Sequence, residues 1–509
     1  RRSDESLRYL MLTETHANSA SSRTAAFEDY LNVAKSLGGD LELNQLAEGH
    51  LVRTDRWVKG RFEELKAAAS PDELQHWNRL VSQKLLTELK KQPPESRLEI
   101  LSCLPRLPAV ESAELASLQE LGTTKNPLEQ SFRLKRIAQS QDPATCNKAN
   151  IALAELYLAW GRESDAAPII QKLGKNWPGP PLENSDELQS SAIAWPERKL
   201  EARFLKRRDP VLPELPVEIV KNQDSAYAHW TFSIDQQSSK LQSRDENGNK
   251  RWNWDLGELP ANIRDYSQAE IAFQGHLAVV AFKTHFVVLD LLKRENTATL
   301  RWWKALVDEE LDDDQLFQMQ RFGGNPFNVR VLPPRRDIFG NVLLVNEEAI
   351  IYQFGQRLIA ADPLTGKPQW MREDLRPRCQ LHGNGRHVVV NPPNTNSGFI
   401  QRTTDGETVR VFNLPRLESQ VAFDGTNLIH LRGEALSRVL VCRNLVDDEV
   451  LWELPCLDGT QVEKVGRDEL ALLSTDGTLR IVRLTDGKVK IQTKVDPDGQ
   501  RKSFKVYRL

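Results

Sequence analysis

The spacing of apolar residues changes once along the chain, and the change separates two kinds of secondary structure. Over residues 5–210, apolar side chains recur at three- and four-residue intervals, as in Leu153, Leu156, Tyr157 and Trp160. This spacing is the period of an α-helix. Glycine and proline interrupt the pattern at short intervals. The sequence therefore predicts short, stacked helical hairpins over this half of the chain.

From about residue 215 onward the period is two. Short runs rich in Val, Ile and Phe, such as Ala278–Phe282 and Ala349–Phe354, are separated by Asp-Gly and Asn-Gly turns. This pattern is typical of antiparallel hairpins. The predicted fold class is a multidomain α plus all-β protein, with a helical region at 1–197, a basic, proline-containing linker at 198–214 and a β region at 215–509.

One helical hairpin, at 150–178, resembles a tetratricopeptide repeat. The positions that match the family's spacing are Leu153, Ala154, Tyr157, Gly161, Ala166, Ile170 and Pro178. Two alanines allow close helix approach, the glycine permits a tight link, and the proline ends the second helix. Asn150 departs from the pattern, since the family has a large apolar residue there. An ordinary α-hairpin remains the alternative.

A compact motif lies in the β region. The segment from Leu358 to Trp370 matches, without a gap, the AxDxxTGxxxW repeat of the PQQ-like, quinoprotein-type β-propellers, which it therefore resembles. The motif positions are Ala360, Asp362, Thr365, Gly366 and Trp370. The resemblance implies that the Asp and Thr-Gly form a turn between two strands. It also implies that the small Ala fits under the next blade and that the Trp docks between neighbouring blades.

Weaker copies of this motif surround it. Three of them keep an Asp or Asn and a Trp, namely Asp245 with Trp252, Asp290 with Trp302, and Asn444 with Trp452. Two more keep only the Asp-Gly turn, with Arg410 and Ile491 where Trp would stand. The copies recur at about 40 residues, the length of one four-stranded blade. One longer interval holds an insertion at about 307–339.

The repeats predict about six visible blades, or an incomplete ring of seven or eight. The segment Ser503–Leu509 could close the ring by pairing into the first blade, or begin a further blade. Helical repeats followed by such a propeller also look like large bacterial envelope proteins without known enzymatic activity. The resemblance thus implies a location in the periplasm or cell envelope of a bacterium.

The residues that a quinone enzyme would need are not evident. Quinone-dependent dehydrogenases of this superfamily hold the cofactor by Trp stacking, bind calcium, use an Asp as base, and often carry adjacent cysteines. The five cysteines here are scattered, and the Trp residues stand at blade-docking positions. We therefore predict no catalytic residue, no cofactor and no metal site. An enzyme with a degenerate or incomplete quinone site, and a sensor module of a longer signalling protein, remain alternatives.

The insertion is the most unusual segment of the chain. Acidic residues crowd its start and aromatic residues follow, which makes it a candidate interaction loop; its candidate contacts are Asp308, Asp312, Asp313, Asp314, Phe317, Phe322 and Phe327. Long loops in compact domains are usually functional, and aromatic anchors flanked by charge are typical of interaction hot spots. A passive insertion is the alternative.

Composition narrows the class of partner. The 68 basic and 71 acidic residues give a net charge of −3, which excludes a global basic field for nucleic acid. No run of about 18 apolar residues occurs, so a transmembrane segment is not predicted. The sequence therefore predicts a soluble, non-enzymatic protein that binds or scaffolds other proteins through its repeat surfaces.

Overall fold

The computed structural model describes most, but not all, of the chain. The described residues are 20–37, 42–123, 126–179, 214–222, 227, 230–235, 237–245, 248–259, 269–282, 285–292, 297–306, 343–373, 375–377, 379–393, 395–413, 420–433, 438–457, 459–465 and 469–495. The chain divides into two compact units. The first is Arg1–Ile338 with Ala361–Met371, and the second is Phe339–Ala360 with Arg372–Leu509.

The first unit opens with short helices. They are α1 (Ala20–Ser36), α2 (Thr54–Ala68), α3 (Pro71–Leu80), α4 (Leu86–Leu89), α5 (Pro94–Ser102), α6 (Pro108–Leu121), α7 (Pro127–Ile137), α8 (Pro143–Ala159) and α9 (Glu163–Leu173), with a π-helical turn at Val81–Leu85. Several begin with proline at the first turn, where its missing N–H costs nothing. Helix α3 also has a capping box, in which Ser70 and Glu73 bond each other's backbone N–H.

An aromatic cluster holds the first helices together. Phe27 on α1 stacks on Trp77 of α3, with ring centroids 4.6 Å apart, and meets Phe62 of α2 edge-on at 5.2 Å. All three side chains are fully buried. Burial of each such side chain stabilises the fold by about 1.5–3 kcal/mol.

One part of the helical region is not helical. Residues Leu43–Ala47 and His50–Arg53 form strands β1 and β2, an antiparallel hairpin. The prediction of helix throughout 5–210 is therefore wrong over this hairpin. The physical reason is a non-local one, because β2 hydrogen-bonds to strand β14 (Pro368–Arg372), far away in sequence.

The β region consists of six consecutive four-stranded antiparallel units, which we call blades 1 to 6, and this confirms the predicted fold class. The hairpin of β1 and β2 extends blade 3 to a six-stranded sheet, and a parallel pairing between the first strands of blades 1 and 2 joins these blades into one eight-stranded sheet. Blade 1 comprises β3 (Glu214–Asn222), β4 (Thr231–Asp235), β5 (Lys240–Arg244) and β6 (Lys250–Asp255); blade 2 comprises β7 (Glu270–Gln274), β8 (Leu277–Ala281), β9 (His285–Asp290) and β10 (Thr299–Ala305); blade 3 comprises β11 (Leu343–Val345), β12 (Ile350–Phe354), β13 (Arg357–Ala361) and β14. Blade 4 comprises β15 (Gln380–Gly383), β16 (His387–Asn391), β17 (Ser397–Arg402) and β18 (Thr408–Asn413); blade 5 comprises β19 (Gln420–Asp424), β20 (Asn427–Arg432), β21 (Val439–Asn444) and β22 (Glu449–Pro455); blade 6 comprises β23 (Gln461–Val465), β24 (Glu469–Leu473), β25 (Thr478–Arg483) and β26 (Val489–Lys494).

The hydrophobic core of the β region lies between consecutive blades. In the second unit, Ile429, Leu440 and Trp452 of blade 5 pack with Leu470 and Val482 of blade 6 in one buried cluster. A similar cluster joins blade 4 to blade 5, and another joins blades 1 and 2 in the first unit. In these three pairs, each blade covers apolar residues of its neighbour, which a single four-stranded sheet could not bury alone.

Within the first unit, the hairpin of α8 and α9 packs against blade 2. Arg162, at the start of α9, donates a hydrogen bond to the carbonyl oxygen of Leu291. The link between the two helices passes through Gly161, whose φ of +67° is a conformation that favours glycine. Ala154 and Ala166 are fully buried in this hairpin. The hairpin therefore forms a packed joint with the blade.

Candidate functional site

The turn after β13 shows what the motif's Asp and Thr-Gly do. The Oδ1 atom of Asp362 accepts hydrogen bonds from the backbone N–H of Leu364 at 3.0 Å and of Thr365 at 2.9 Å, and from the hydroxyl of Thr365 at 3.0 Å. The backbone N–H of Gly366 donates to the carbonyl oxygen of Asp362 at 2.9 Å. One carboxylate thus organises the turn.

Blades 4 and 6 form the same backbone turn with the charges exchanged. Arg402 and Arg483 occupy the position of Asp362, and the acid moves three residues on, to Asp405 and Asp486. Each arginine pairs with its own aspartate, with N···O distances of 2.9 and 3.2 Å. In both turns the Gly N–H still donates to the arginine carbonyl oxygen at 2.9 Å. The backbone geometry of the turn is therefore the same in blades 4 and 6, although their residues differ from the motif.

In the other three copies of the motif, a side-chain oxygen also accepts a hydrogen bond from a backbone N–H of the turn. Oδ1 of Asn444 accepts from the N–H of Val446 at 2.8 Å, and Oδ1 of Asp290 accepts from that of Leu292 at 2.9 Å. Asp245 accepts from the N–H of Asn249 at 2.8 Å. Each of these three side chains therefore stabilises its own turn.

Two tryptophans dock on the turn of the next blade. The indole N–H of Trp302, at the end of blade 2, donates to the carbonyl oxygen of Pro363 at 3.0 Å, and its ring lies over Gly366. Trp452 of blade 5 repeats the arrangement with Leu484, at 2.8 Å, and with Gly487. Each ring is only 9% exposed. The glycine at this position leaves room for the indole.

Arg410 takes the place of tryptophan in blade 4. Its Nη1 donates to the carbonyl oxygen of Val446 in the turn of blade 5, at 3.2 Å, and its Nη2 pairs with Asp448. A polar contact thus replaces the aromatic one at this joint. At the corresponding position of blade 6, Ile491 is 46% exposed.

The remaining motif residues lie in the core. Trp370 and Ala360 are fully buried, and Trp252 is 4% exposed with its ring 5.6 Å from that of Phe232. Among the described residues, the indole N–H of Trp252 finds no hydrogen-bond acceptor. Packing against other described residues therefore accounts for the position of both tryptophan rings.

The buried thiols are poor nucleophiles. Burial raises the pKa of Cys103 and Cys379 to about 11 and that of Cys442 to about 12. At neutral pH they are therefore protonated, and the thiolate is the reactive form. Across the described residues, no three His, Cys, Asp or Glu side chains come together as a metal site would require.

A buried polar cluster lies at the joint of the first unit. The hydroxyl of Tyr227 is 2.7 Å from Nδ1 of His276, and Asp165 of α9 approaches Nε2 of the same ring at 3.9 Å. Burial, with the cations Lys135 and Arg162 nearby, lowers the pKa of His276 well below its usual value. The imidazole is therefore neutral at neutral pH.

The outer strands of the last three blades expose large apolar side chains. Of nine such exposed residues in the described part of the chain, eight lie on or beside these strands. They are Val409, Val411, Val450, Leu451, Leu457, Val489, Ile491 and Val495. Val411, at 67%, is the most exposed. In the described part of the chain, strands β18, β22 and β26 are also the edges of their sheets, and an edge strand presents unpaired backbone groups as well.

The candidate interaction loop lies outside the described residues. This applies to Asp308, Asp312, Asp313, Asp314, Phe317, Phe322 and Phe327. Residues 198–213 of the predicted linker at 198–214 and the segment Ser503–Leu509 lie outside them too, whereas Glu214 belongs to β3. In the part that is described, no helix is both long enough and apolar enough to cross a bilayer.

Comparison with known proteins yields structural similarity only. No family model and no curated protein matches the chain. Among solved structures, BamB from Moraxella catarrhalis is 15% identical and matches over 55% of this chain and 77% of its own, with a TM-score of 0.31. A europium-containing methanol dehydrogenase is 10% identical over 52% of this chain and 67% of its own, with a TM-score of 0.28. KlHsv2 with a replaced loop is 10% identical over 56% and 82%, with a TM-score of 0.32. These are structures the chain is similar to, at a level that assigns no function.

Proposed function

We propose that this protein is a non-enzymatic binding or scaffolding protein that holds other proteins on the surfaces of its blades and helices. The observation that supports this proposal is the row of exposed apolar side chains along β18, β22 and β26. Exposed apolar side chains concentrated on a few strands are the kind of surface found at protein–protein contact sites. Strand edges add a second means of contact, because an extended partner segment can pair with them.

The contacts that the motif residues make support the same function. In a quinone enzyme, tryptophan would stack on the cofactor and an aspartate would act as base. Here Trp302 and Trp452 dock on turns, and Asp362 bonds its own loop. We further propose that the insertion at 307–339 contributes to partner binding and that the protein acts in a bacterial cell envelope.

Two measurements test the proposal. Immobilised protein should capture a reproducible set of proteins from native extract, and Val409→Lys with Val411→Lys should remove at least part of that set. Thr408→Lys with Asn413→Lys is the matched control, because it adds the same charge at exposed positions of the same strand. Equal loss in both variants, or loss in neither, would contradict a role for the apolar row.

The second measurement addresses the alternative function. Titration with pyrroloquinoline quinone in the presence of Ca²⁺, followed by absorbance, should show no saturable binding at micromolar concentration. Saturable binding would overturn the non-enzymatic assignment and favour an incomplete quinoprotein site.

A further inference from the structure

Among the residues that the structure describes, strand β26 is an open edge. It has one described neighbour in its sheet, β25, and all six of its residues are exposed. Such an edge presents a row of unpaired N–H and C=O groups to which another extended chain can add. The pairing of β26 with β25 places Gln492 and Lys494 on the same face as Arg480, and Ile491 on the opposite face. A bulge at Lys490 shifts the register, so that Val489 lies on the face of Gln492.

The two outer strands of blade 6 are basic. Together, β25 and β26 carry Arg480, Arg483, Lys490 and Lys494, and no carboxylate. Two of these cations are partly neutralised from outside the strands, since Lys490 pairs with Glu469 and Arg483 with Asp486. Lysines on an edge discourage pairing with another basic edge. The same charges favour an acidic strand.

A cavity opens between blade 5 and blade 6 beside this edge. Its volume is about 520 Å³, within the range of about 300–1,000 Å³ that ligand pockets occupy. Arg438, Pro455 and Leu457 line it from blade 5, and Thr478, Arg480 and Gln492 line it from blade 6. The cavity therefore combines cationic and apolar walls, with Leu457 51% exposed.

Arg480 is the cation best placed to take a ligand. Both of its terminal nitrogens donate to one carbonyl oxygen, that of Pro455, at 3.3 Å. These bonds are long for N–H···O contacts, whose usual length is about 2.9–3.0 Å. No carboxylate among the described residues forms an ion pair with Arg480, whereas a carboxylate could receive two parallel N–H bonds from its guanidinium.

Asp476, the carboxylate that lines the cavity, does not pair with Arg480. The two oxygens of Asp476 accept from the backbone N–H and the hydroxyl of Thr478, both at 3.0 Å. These bonds hold the pKa of Asp476 below its usual value. Its charge is thus committed to the turn between β24 and β25.

The distances allow the edge and the cavity to act together. Arg480 lies opposite Gln492 in the pairing of β25 with β26. A strand added to β26 would lie about 4.8 Å further out. A glutamate on the added strand, on the same face as Gln492, would face Arg480 across two strand spacings. Extended arginine and glutamate side chains span such a gap.

We propose that β26 and the neighbouring cavity form a docking site for an extended acidic segment of a partner protein. The segment adds to the sheet as a further strand, and one of its carboxylates pairs with Arg480. This inference rests on the proposed binding function, but the two can fail separately. Capture of partners through β18 or the insertion does not require this site.

The test uses synthetic peptides as probes for the full chain. The first is a fluorescein-labelled, acetylated heptapeptide that alternates valine with glutamate. A second replaces glutamate with glutamine, and a third is the glutamate peptide with alternate backbone amides methylated. Glutarate serves as a free carboxylate. Binding is measured by fluorescence anisotropy, and glutarate by competition.

The glutamate peptide should bind at least about tenfold more tightly than the glutamine peptide, because an ionised acceptor strengthens the hydrogen bonds from arginine. Its affinity should fall as salt rises from about 50 to about 500 mM, since exposed charges are screened. Arg480→Gln should reduce its affinity by about tenfold as well. Arg357→Gln is the control, because Arg357 is an exposed arginine on β13 that pairs with Glu373.

Each contrary result is informative. Equal binding of the glutamate and glutamine peptides, equal affinity in Arg480→Gln and Arg357→Gln, or no peptide binding at all would overturn the proposal. Undiminished binding of the methylated peptide would show that no strand is added. Glutarate competing as tightly as the peptide would assign the cavity to small carboxylates. Melting curves for both variants establish that folding is intact.

Discussion

Replacement of Gly366 by alanine tests the docking of tryptophan on the turn of the next blade. The φ of Gly366 is +68°, and an added Cβ would lie 2.6 Å from Cδ2 of Trp302 and 2.8 Å from its Cγ. The indole cannot easily move away, because its N–H is bonded to Pro363 and its ring packs edge-on against Phe286 at 5.4 Å. The substitution therefore imposes two separate costs.

The two costs can be estimated from their causes. A non-glycine residue in the left-handed region costs roughly 1–2 kcal/mol. Overpacking a rigid contact costs typically about 1–3 kcal/mol more. We therefore expect Gly366→Ala to reduce the free energy of unfolding by about 2–5 kcal/mol. Urea unfolding followed by far-ultraviolet circular dichroism measures this loss.

Gly248→Ala provides the matched control. Gly248 has a φ of +81°, but nothing lies within 4 Å of its added Cβ. It should therefore show only the backbone cost, about 1–2 kcal/mol. Adding Trp302→Ala to Gly366→Ala should remove the packing part of the glycine penalty, as coupled neighbours do in a double-mutant cycle. If Gly366→Ala costs no more than Gly248→Ala, the ring does not dock as described.

Three further predictions concern other parts of the chain. Trp370→Ala should destabilise the protein by about 3–5 kcal/mol, because the side chain is fully buried; a loss under about 1 kcal/mol in urea unfolding would show that the repeat alignment is wrong. Replacing residues 309–338 with a short Gly/Ser link should leave the melting temperature unchanged but remove proteins captured from native extract, and an unchanged set would mean that the insertion is passive. His276 has a depressed folded-state pKa, so the unfolded state binds a proton first and stability should fall as pH drops below about 6.5. His276→Asn should flatten that part of a stability profile measured against pH, and an unaltered slope would contradict a buried neutral imidazole.

The alternating pattern predicted the six blades because local sequence controls their turns. Asp362 and Asn444 bond backbone groups only two or three residues away, so a short motif suffices to specify each turn. The hairpin of β1 and β2 escaped prediction for the opposite reason. Its strands are four and five residues long, and its partner β14 lies some 300 residues further along the chain. A pairing so remote leaves no trace in local periodicity.

The sequence also did not predict that the outer strands of blade 6 form a basic edge, although it contains every one of the basic residues. Arg480 and Lys494 stand out only after the strands are paired and their neighbours are known. The exchanged turns of Arg402–Asp405 and Arg483–Asp486 carry a detectable signal. An acid three residues after a basic residue, followed by glycine, marks both of them. The Asp-Gly pair alone located both turns, whereas the exchange of charge becomes visible only when each arginine is aligned with Asp362.

The substitution of Arg410 for a docking tryptophan has a mechanical consequence. The joint from blade 5 to blade 6 relies on a buried indole, which ions in solution do not weaken. The outer part of the joint from blade 4 to blade 5 relies on the partly exposed pair of Arg410 and Asp448, and exposed pairs weaken as ionic strength rises. We therefore expect concentrated salt to loosen the outer part of the joint from blade 4 to blade 5 more than that of the joint from blade 5 to blade 6, while the buried cluster between blades 4 and 5 stays intact.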